Sequence, residues 1–189
     1  MRELIRLLEK HPVIASVRDR WTNRAAIESP VAAIFLLNAS ILELEDMVAD
    51  AHAGGKKVFL HIDLAEGLGS DEAAVRWAVE RLKVDGVIST RSALLKAASE
   101  LGVITIQRLF LMDSSSFEHG KRLLRNTPPD MAEVLPGIAP KAIRQLCEAL
   151  DKPVIAGGLI TEPQEIALAL QAGALAVSVG DEKLWQFTL

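Results

Sequence analysis

Eight short runs rich in valine and isoleucine, separated by segments of helical periodicity, constrain this chain more than any other feature. They are Val13–Val17, Val31–Leu37, Val58–Ile62, Gly86–Ser89, Val103–Leu109, Met131–Leu135, Val154–Ala156 and Ala174–Val179. Each has the length of a strand and is too short for a buried helix. The intervening segments carry helix signals. Ser40 and Glu43 stand in capping-box spacing before "ILELEDMVADAHAGG", which stops at Gly54-Gly55, and "DEAAVRWAVERLK" follows Ser70. "SALLKAASELG" ends at Gly102, Ser115 and Glu118 form a second box, Pro140 opens a helix at its first position, and Thr161 pairs with Gln164. "TNRAAIES", after the first run, supplies the weakest helix, barely two turns.

Strands alternating with helices pair in parallel through right-handed crossovers. Eight such units predict a closed (β/α)8, TIM-barrel-like α/β fold, a compact single domain over residues 1–189. An open doubly wound sheet would carry a glycine-rich G-x-G-x-x-G turn after its first strand, where this chain reads "SVRDRWTN". The length falls just under the roughly 200 residues at the lower end for such barrels, so the loops must be short.

Half of the residues are apolar, enough for one sizeable core, yet no apolar run approaches the roughly 18 residues of a spanning helix. The start, "MRELIRLLEKHPVIASV", is amphipathic and carries no secretory pattern. The single cysteine, Cys147, cannot form an internal disulfide and falls among apolar helix positions, which predicts a buried structural thiol and a cytoplasmic protein without membrane contact. A net charge of −4 repels polyanions, so any RNA contact must be a local patch. With five Phe, three Trp and no Tyr, a stacking platform for single strands is not expected.

In a barrel of this kind the ligand site lies at the C-terminal strand ends, with phosphate commonly held after the last two strands. Gly157-Gly158 in "VIAGGLIT" and Ser178 with Gly180 in "AVSVGDEK" occupy those places. Their backbone can approach an anion closely, or simply close tight turns. Alternation in the third strand sets Phe59, His61 and Asp63 on one face and Val58, Leu60 and Ile62 on the other. Ser16 or Arg18, Asn38, Ser89, Arg91, Gln107 or Arg108, and Glu133 complete a polar ring that serves a ligand or caps the core. His61 and Asp63 could begin a metal site, but His11, His52 and His119 fall near helices or turns, so no metal is expected. No lysine stands at a strand end for Schiff-base chemistry. Asp63, Glu66 or Glu133 would serve as general base in a phosphosugar isomerase or epimerase, the alternative reading.

The segments "VFLHIDLAEGLGSDEAAV", "DGVISTR", "ITIQRLFLMDS", "AEVLPGIAPK" and "VIAGGLIT", in that order over nearly the whole chain, resemble the glycerol uptake operon antiterminator regulatory family. The resemblance implies a non-enzymatic barrel without cofactor that responds to glycerol 3-phosphate or a close phosphorylated analogue and acts on leader messenger RNA. Carried over by position, it points to His61, Asp63, Glu66, Gln107, Arg108, Glu133 with Pro136-Gly137, and Gly157-Gly158. Arg18 and Arg91 stand where relatives are expected to carry lysine, and Gly180-Asp181 where a hydroxyl-rich pair is expected, which places a carboxylate near the phosphate. The RNA candidates are Lys121, Arg122 and Arg125 in "EHGKRLLRN", and Arg18, Arg20 and Arg24 around Trp21; either group equally suits a solvated helix face. A homo-oligomer is compatible with all of this.

Overall fold

The computed structural model describes residues 1–187, so Thr188 and Leu189 of the predicted 1–189 domain lie outside the described residues. A helix, α1 (Arg2–Lys10), precedes an alternating series: β1 (Val13–Val17), α2 (Arg20–Glu28), β2 (Ala33–Leu36), α3 (Ile41–Ala53), β3 (Lys57–His61), α4 (Glu72–Glu80), β4 (Gly86–Ser89) and α5 (Ser92–Glu100). It continues with β5 (Ile104–Phe110), α6 (Ser114–Asn126), β6 (Met131–Leu135), α7 (Pro140–Ala149), β7 (Val154–Gly157), α8 (Pro163–Gln171), β8 (Ala176–Val179) and a short 3₁₀ helix, Glu182–Gln186. Among the described residues the eight strands pair in sequence order, all parallel, and β8 closes on β1 with Ile14 opposite Ser178. This is the predicted TIM-barrel-like fold, with strand ends displaced by one or two residues.

Alternation decides what each strand buries. Ile14, Phe35, Phe59, Ile88, Ile106, Met131 and Ile155 fill the barrel interior, where the Phe35 and Phe59 rings meet edge to face at 5.6 Å. Leu4 and Leu8 of α1 join that cluster and close the bottom. Val58, Leu60 and Ile62, on the opposite face of β3, pack outward with the helices. Burying each large apolar side chain contributes roughly 1.5–3 kcal/mol.

The helix starts differ from expectation in an instructive way. Ser40 caps α3 by accepting from Leu42 N–H at 3.3 Å, but Glu43 is drawn to Arg20 at 3.2 Å instead of completing a box. Asp71, not Ser70, caps α4, and Asp113 with Ser116, not Ser115 with Glu118, caps α6. A carboxylate both accepts the free N–H groups and favours the positive helix end. Pro163 takes the first position of α8, so Glu162 becomes the cap and Glu165, rather than Gln164, reaches back. The weak α2 is a full nine-residue helix because Asp19 and Thr22 form a capping box. Cys147 is half-buried, not buried; it packs beside Gly173, and burial raises its thiol pKa.

Candidate functional site at the barrel mouth

A cleft of about 210 Å³ opens at the C-terminal mouth between β1 and the last strands. Ser16, Arg18, Arg108, Glu133, Gly158, Ser178 and Gly180 bring polar groups to it, and Leu37, Leu135, Leu159 and Ile160 supply apolar wall. Its size is below the 300–1,000 Å³ typical of pockets for drug-sized ligands, which suits a smaller molecule.

At the cleft's inner end Glu133, 1% exposed, accepts from Ser178 Oγ at 2.6 Å through one carboxylate oxygen and from Arg108 Nε at 2.5 Å through the other. The pair is buried, so each partner depends on the other to offset desolvation. Each oxygen keeps a second lone pair, and no hydrogen bond engages the terminal Arg108 nitrogens among the described residues. Gly157 makes this arrangement possible: a Cβ there would collide with Ser178 Oγ and stand 2.8 Å from Glu133 Oε1. Its place is therefore structural, directly behind the acid.

At the outer end lie Arg18, exposed and without an ion pair among the described residues, and the turn Gly158-Leu159. Both turn residues adopt left-handed backbone, φ 77° and 62°. Glycine does so freely; leucine does so at a cost, which marks a constrained loop. The Gly137 N–H donates to the Gly158 carbonyl at 3.0 Å and ties the β6–α7 loop to this turn. Several donors at the neighbouring helix starts are already used. Glu165 accepts from the N–H groups of Thr161 and Glu162 at the start of α8, and Asp181 accepts from Lys183 N–H at 3.0 Å at the start of the 3₁₀ helix. The Asp181 carboxylate, expected beside a phosphate, is thus a helix cap.

Other predicted residues are held elsewhere. Asp63 accepts from Ser89 Oγ and Thr90 N–H, both at 2.8 Å, and lies 3.3 Å from Arg91 Nε, while Arg91 also donates to the Ser70 carbonyl. This set joins the β3–α4 and β4–α5 loops outside the cleft. Gln107 lies on the outer face of β5, where it donates to the Ser89 and Thr90 carbonyls and accepts from Ser92. Glu66 holds the β2–α3 loop through its backbone, paired with Ser40, and its side chain is exposed. His61 is 1% exposed inside the mouth, and neither ring nitrogen has a hydrogen-bond partner. Burial, reinforced by the Arg108 charge and opposed by Asp63, lowers its pKa to about 4, so the imidazole is neutral near pH 7. On α6, Lys121 is held by Glu118 at 2.6 Å and lies over the Phe117 ring, while Arg122 and Arg125 are exposed and unpaired among the described residues.

The left-handed Leu159 and the apolar wall were missed by sequence reasoning. Leucine carries no turn signal, and wall residues resemble any other core residues.

Fold and cleft together define a TIM-type barrel with a small charged mouth. The family described as glycerol-3-phosphate responsive antiterminator matches residues 13–185, and the chain belongs to that family, one of regulators. It is similar to the glycerol uptake operon antiterminator regulatory protein of Listeria monocytogenes, with 34% identity and a TM-score of 0.88 over 92% of this chain and 94% of that one. A glycerol uptake operon antiterminator-related protein of Thermotoga maritima is 28% identical, with a TM-score of 0.83 over 94% of this chain and 99% of that one. The uncharacterized protein YgcP of Escherichia coli strain K12 is 35% identical over 182 residues, 96% of this chain and 95% of that protein. Among the described residues no helix is long and apolar enough to cross a membrane, and no cluster of three or more potential ligands could hold a metal ion.

Proposed function

We propose that the barrel mouth binds glycerol 3-phosphate or a close phosphorylated analogue, and that the loaded protein acts in the cytoplasm on leader messenger RNA as an antiterminator rather than as an enzyme. The observation that carries the reading is the two-ended cleft. An unpaired Arg18 beside the Gly158 and Gly180 backbones suits phosphate, and the Arg108–Glu133–Ser178 set suits hydroxyls. The phosphate takes the outer end because only there is positive charge uncompensated. The hydroxyls take the inner end, accepted by Glu133 and met by the orphaned imidazole of His61. Asp63, Arg91, Gln107 and Glu66 then act by fixing the loops around the mouth. The RNA patch is Arg122 and Arg125, with Lys121 contributing once released from Glu118.

The test is a thermal-shift comparison of sn-glycerol 3-phosphate, glycerol and inorganic phosphate. A ligand at 100 times its dissociation constant adds about 2.7 kcal/mol of stability. Only the ester, which reaches both ends, is expected to give that gain at low concentration. Equal shifts with inorganic phosphate would remove the inner-end assignment, and no shift with any of the three would remove the ligand.

A further inference from the structure

Between α2 and α3 lies a groove of about 880 Å³, separate from the mouth cleft. Ile27, Met47 and Ala53 give it an apolar lining, and Trp21 stands at its edge 83% exposed. Leu42, at the start of α3, is 87% exposed. Large apolar side chains left in water beside a groove mark interaction surfaces. Asn23, 2% exposed, also lines the groove; its Nδ2 donates to the Met47 carbonyl at 3.0 Å, and its buried Oδ1 has no partner. A buried acceptor without a donor calls for one from a molecule in the groove.

Charge selects the class of occupant. Asp19, Glu28, Glu43, Asp46 and Asp50 face two guanidinium groups, Arg20 and Arg24, three negative charges in excess. Two of the three arginines of "VRDRWTNR" that suggested an RNA patch are neutralised: Arg20 is held by Glu43 and Asp46 at 3.2 and 2.7 Å, and Arg24 by Glu28 at 3.2 Å, while Arg18 belongs to the mouth cleft. A polyanion is repelled here. Arg20 shows how the groove holds a guanidinium, between two carboxylates of α3, and Asp50 has no ion pair among the described residues. The indole face of Trp21 favours a cation in addition.

We infer that the α2–α3 groove docks an arginine- or lysine-rich segment of a partner protein, with its charged head groups among Asp46, Asp50 and Trp21 and a donor reaching Asn23. Arg18 of the mouth cleft stands two residues before α2, so the occupant would sit one short β1–α2 connection away from the proposed ligand.

Fluorescence anisotropy with a labelled Arg-Gly repeat peptide on the full chain tests this, with an RNA oligonucleotide and a Glu-Gly repeat as comparison probes. Saturable binding of the Arg-Gly peptide is expected, weakened about tenfold by Trp21→Ala and by Asp46→Asn with Asp50→Asn together. Glu72→Gln with Glu100→Gln removes the same charge from α4 and α5 and is expected to leave affinity within about twofold. Equal weakening by the two charge-removing pairs, or no saturable binding, would overturn the proposal. So would preferential binding of RNA that Trp21→Ala abolishes. Self-association lost in Trp21→Ala would replace the foreign segment by a second copy.

Discussion

At the scale of single residues, the mouth depends on one buried carboxylate and one neutral imidazole. Glu133→Gln keeps the shape but leaves the buried Arg108 guanidinium without its counter-charge, at 2.5 Å from a neutral amide. Breaking a buried pair from one side costs on the order of 3 kcal/mol or more. The expected outcome is a loss of that size in chemical denaturation, together with lost affinity for glycerol 3-phosphate. His61 makes a different prediction. Its pKa in the folded protein, about 4, is below the unfolded value of 6.5, so between those values the unfolded chain binds more protons. Stability is therefore full above pH 6.5 and declines as pH falls toward 4, by on the order of 3 kcal/mol from this group. A His61→Gln variant should show a flatter stability profile between pH 6.5 and 4, measured by urea denaturation at stepped pH. An unchanged slope would assign the acid sensitivity to other groups.

At the scale of elements, one strand junction and one helix carry predictions. Asp85, at the foot of β4, accepts from Lys57 Nζ at 3.0 Å and Val58 N–H at 2.9 Å, and its other close partner is His52 Nε2 at 3.0 Å. Burial alone would raise its pKa, but these three partners outweigh it and the net shift is downward. Its contribution is present above the ordinary carboxylate value and is lost as pH falls below it. Asp85→Asn should remove that acid-sensitive part and loosen the bottom of β3 and β4, seen as faster amide exchange there. On α6, the Asp113–Ser116 box anchors the helix that presents Arg122 and Arg125. Replacing both arginines with Gln should weaken leader-RNA binding and reduce its salt slope by about two, while ligand affinity without RNA stays within about twofold. Filter binding over a salt series reads both quantities, and the wild-type slope in the double variant would place any RNA site elsewhere.

For the whole molecule, the decisive quantity is coupling between mouth and RNA. Arg108 is on β5, which leads through a short loop into α6, so the proposed ligand site and the proposed RNA patch share one strand-loop-helix unit. If both favour the same state, the factor by which glycerol 3-phosphate tightens RNA binding equals the factor by which RNA tightens the ligand. Coupling of 1–3 kcal/mol, roughly 5- to 150-fold, is the usual range. Filter-binding titrations with and without ligand, matched by calorimetric ligand titrations with and without RNA, should return equal factors. RNA affinity that ignores the ligand would leave a binding barrel without a regulatory output.

The barrel was legible in the chain because period-two runs and helical segments alternate eight times, and parallel pairing with right-handed crossovers leaves few other ways to bury both faces of every strand. That Gly158 and Gly180 line one cleft was legible for the same reason, since chain order dictates which loops neighbour each other at the mouth. What each polar side chain does there was not. The same alternation that sends Arg108 into the barrel sends Gln107 to its outer face, and sequence spacing cannot say that Ser89 and Thr90 claim Asp63 while the cleft keeps Glu133. Nor does any local signal announce that Gly157 exists to make room for a carboxylate 24 residues earlier in the chain and a serine 21 residues later. Local sequence sets periodicity and caps because those interactions span only a few residues. Partnership in the site is decided across strands, where three-dimensional distance, desolvation and competition for each donor choose among groups far apart in the chain.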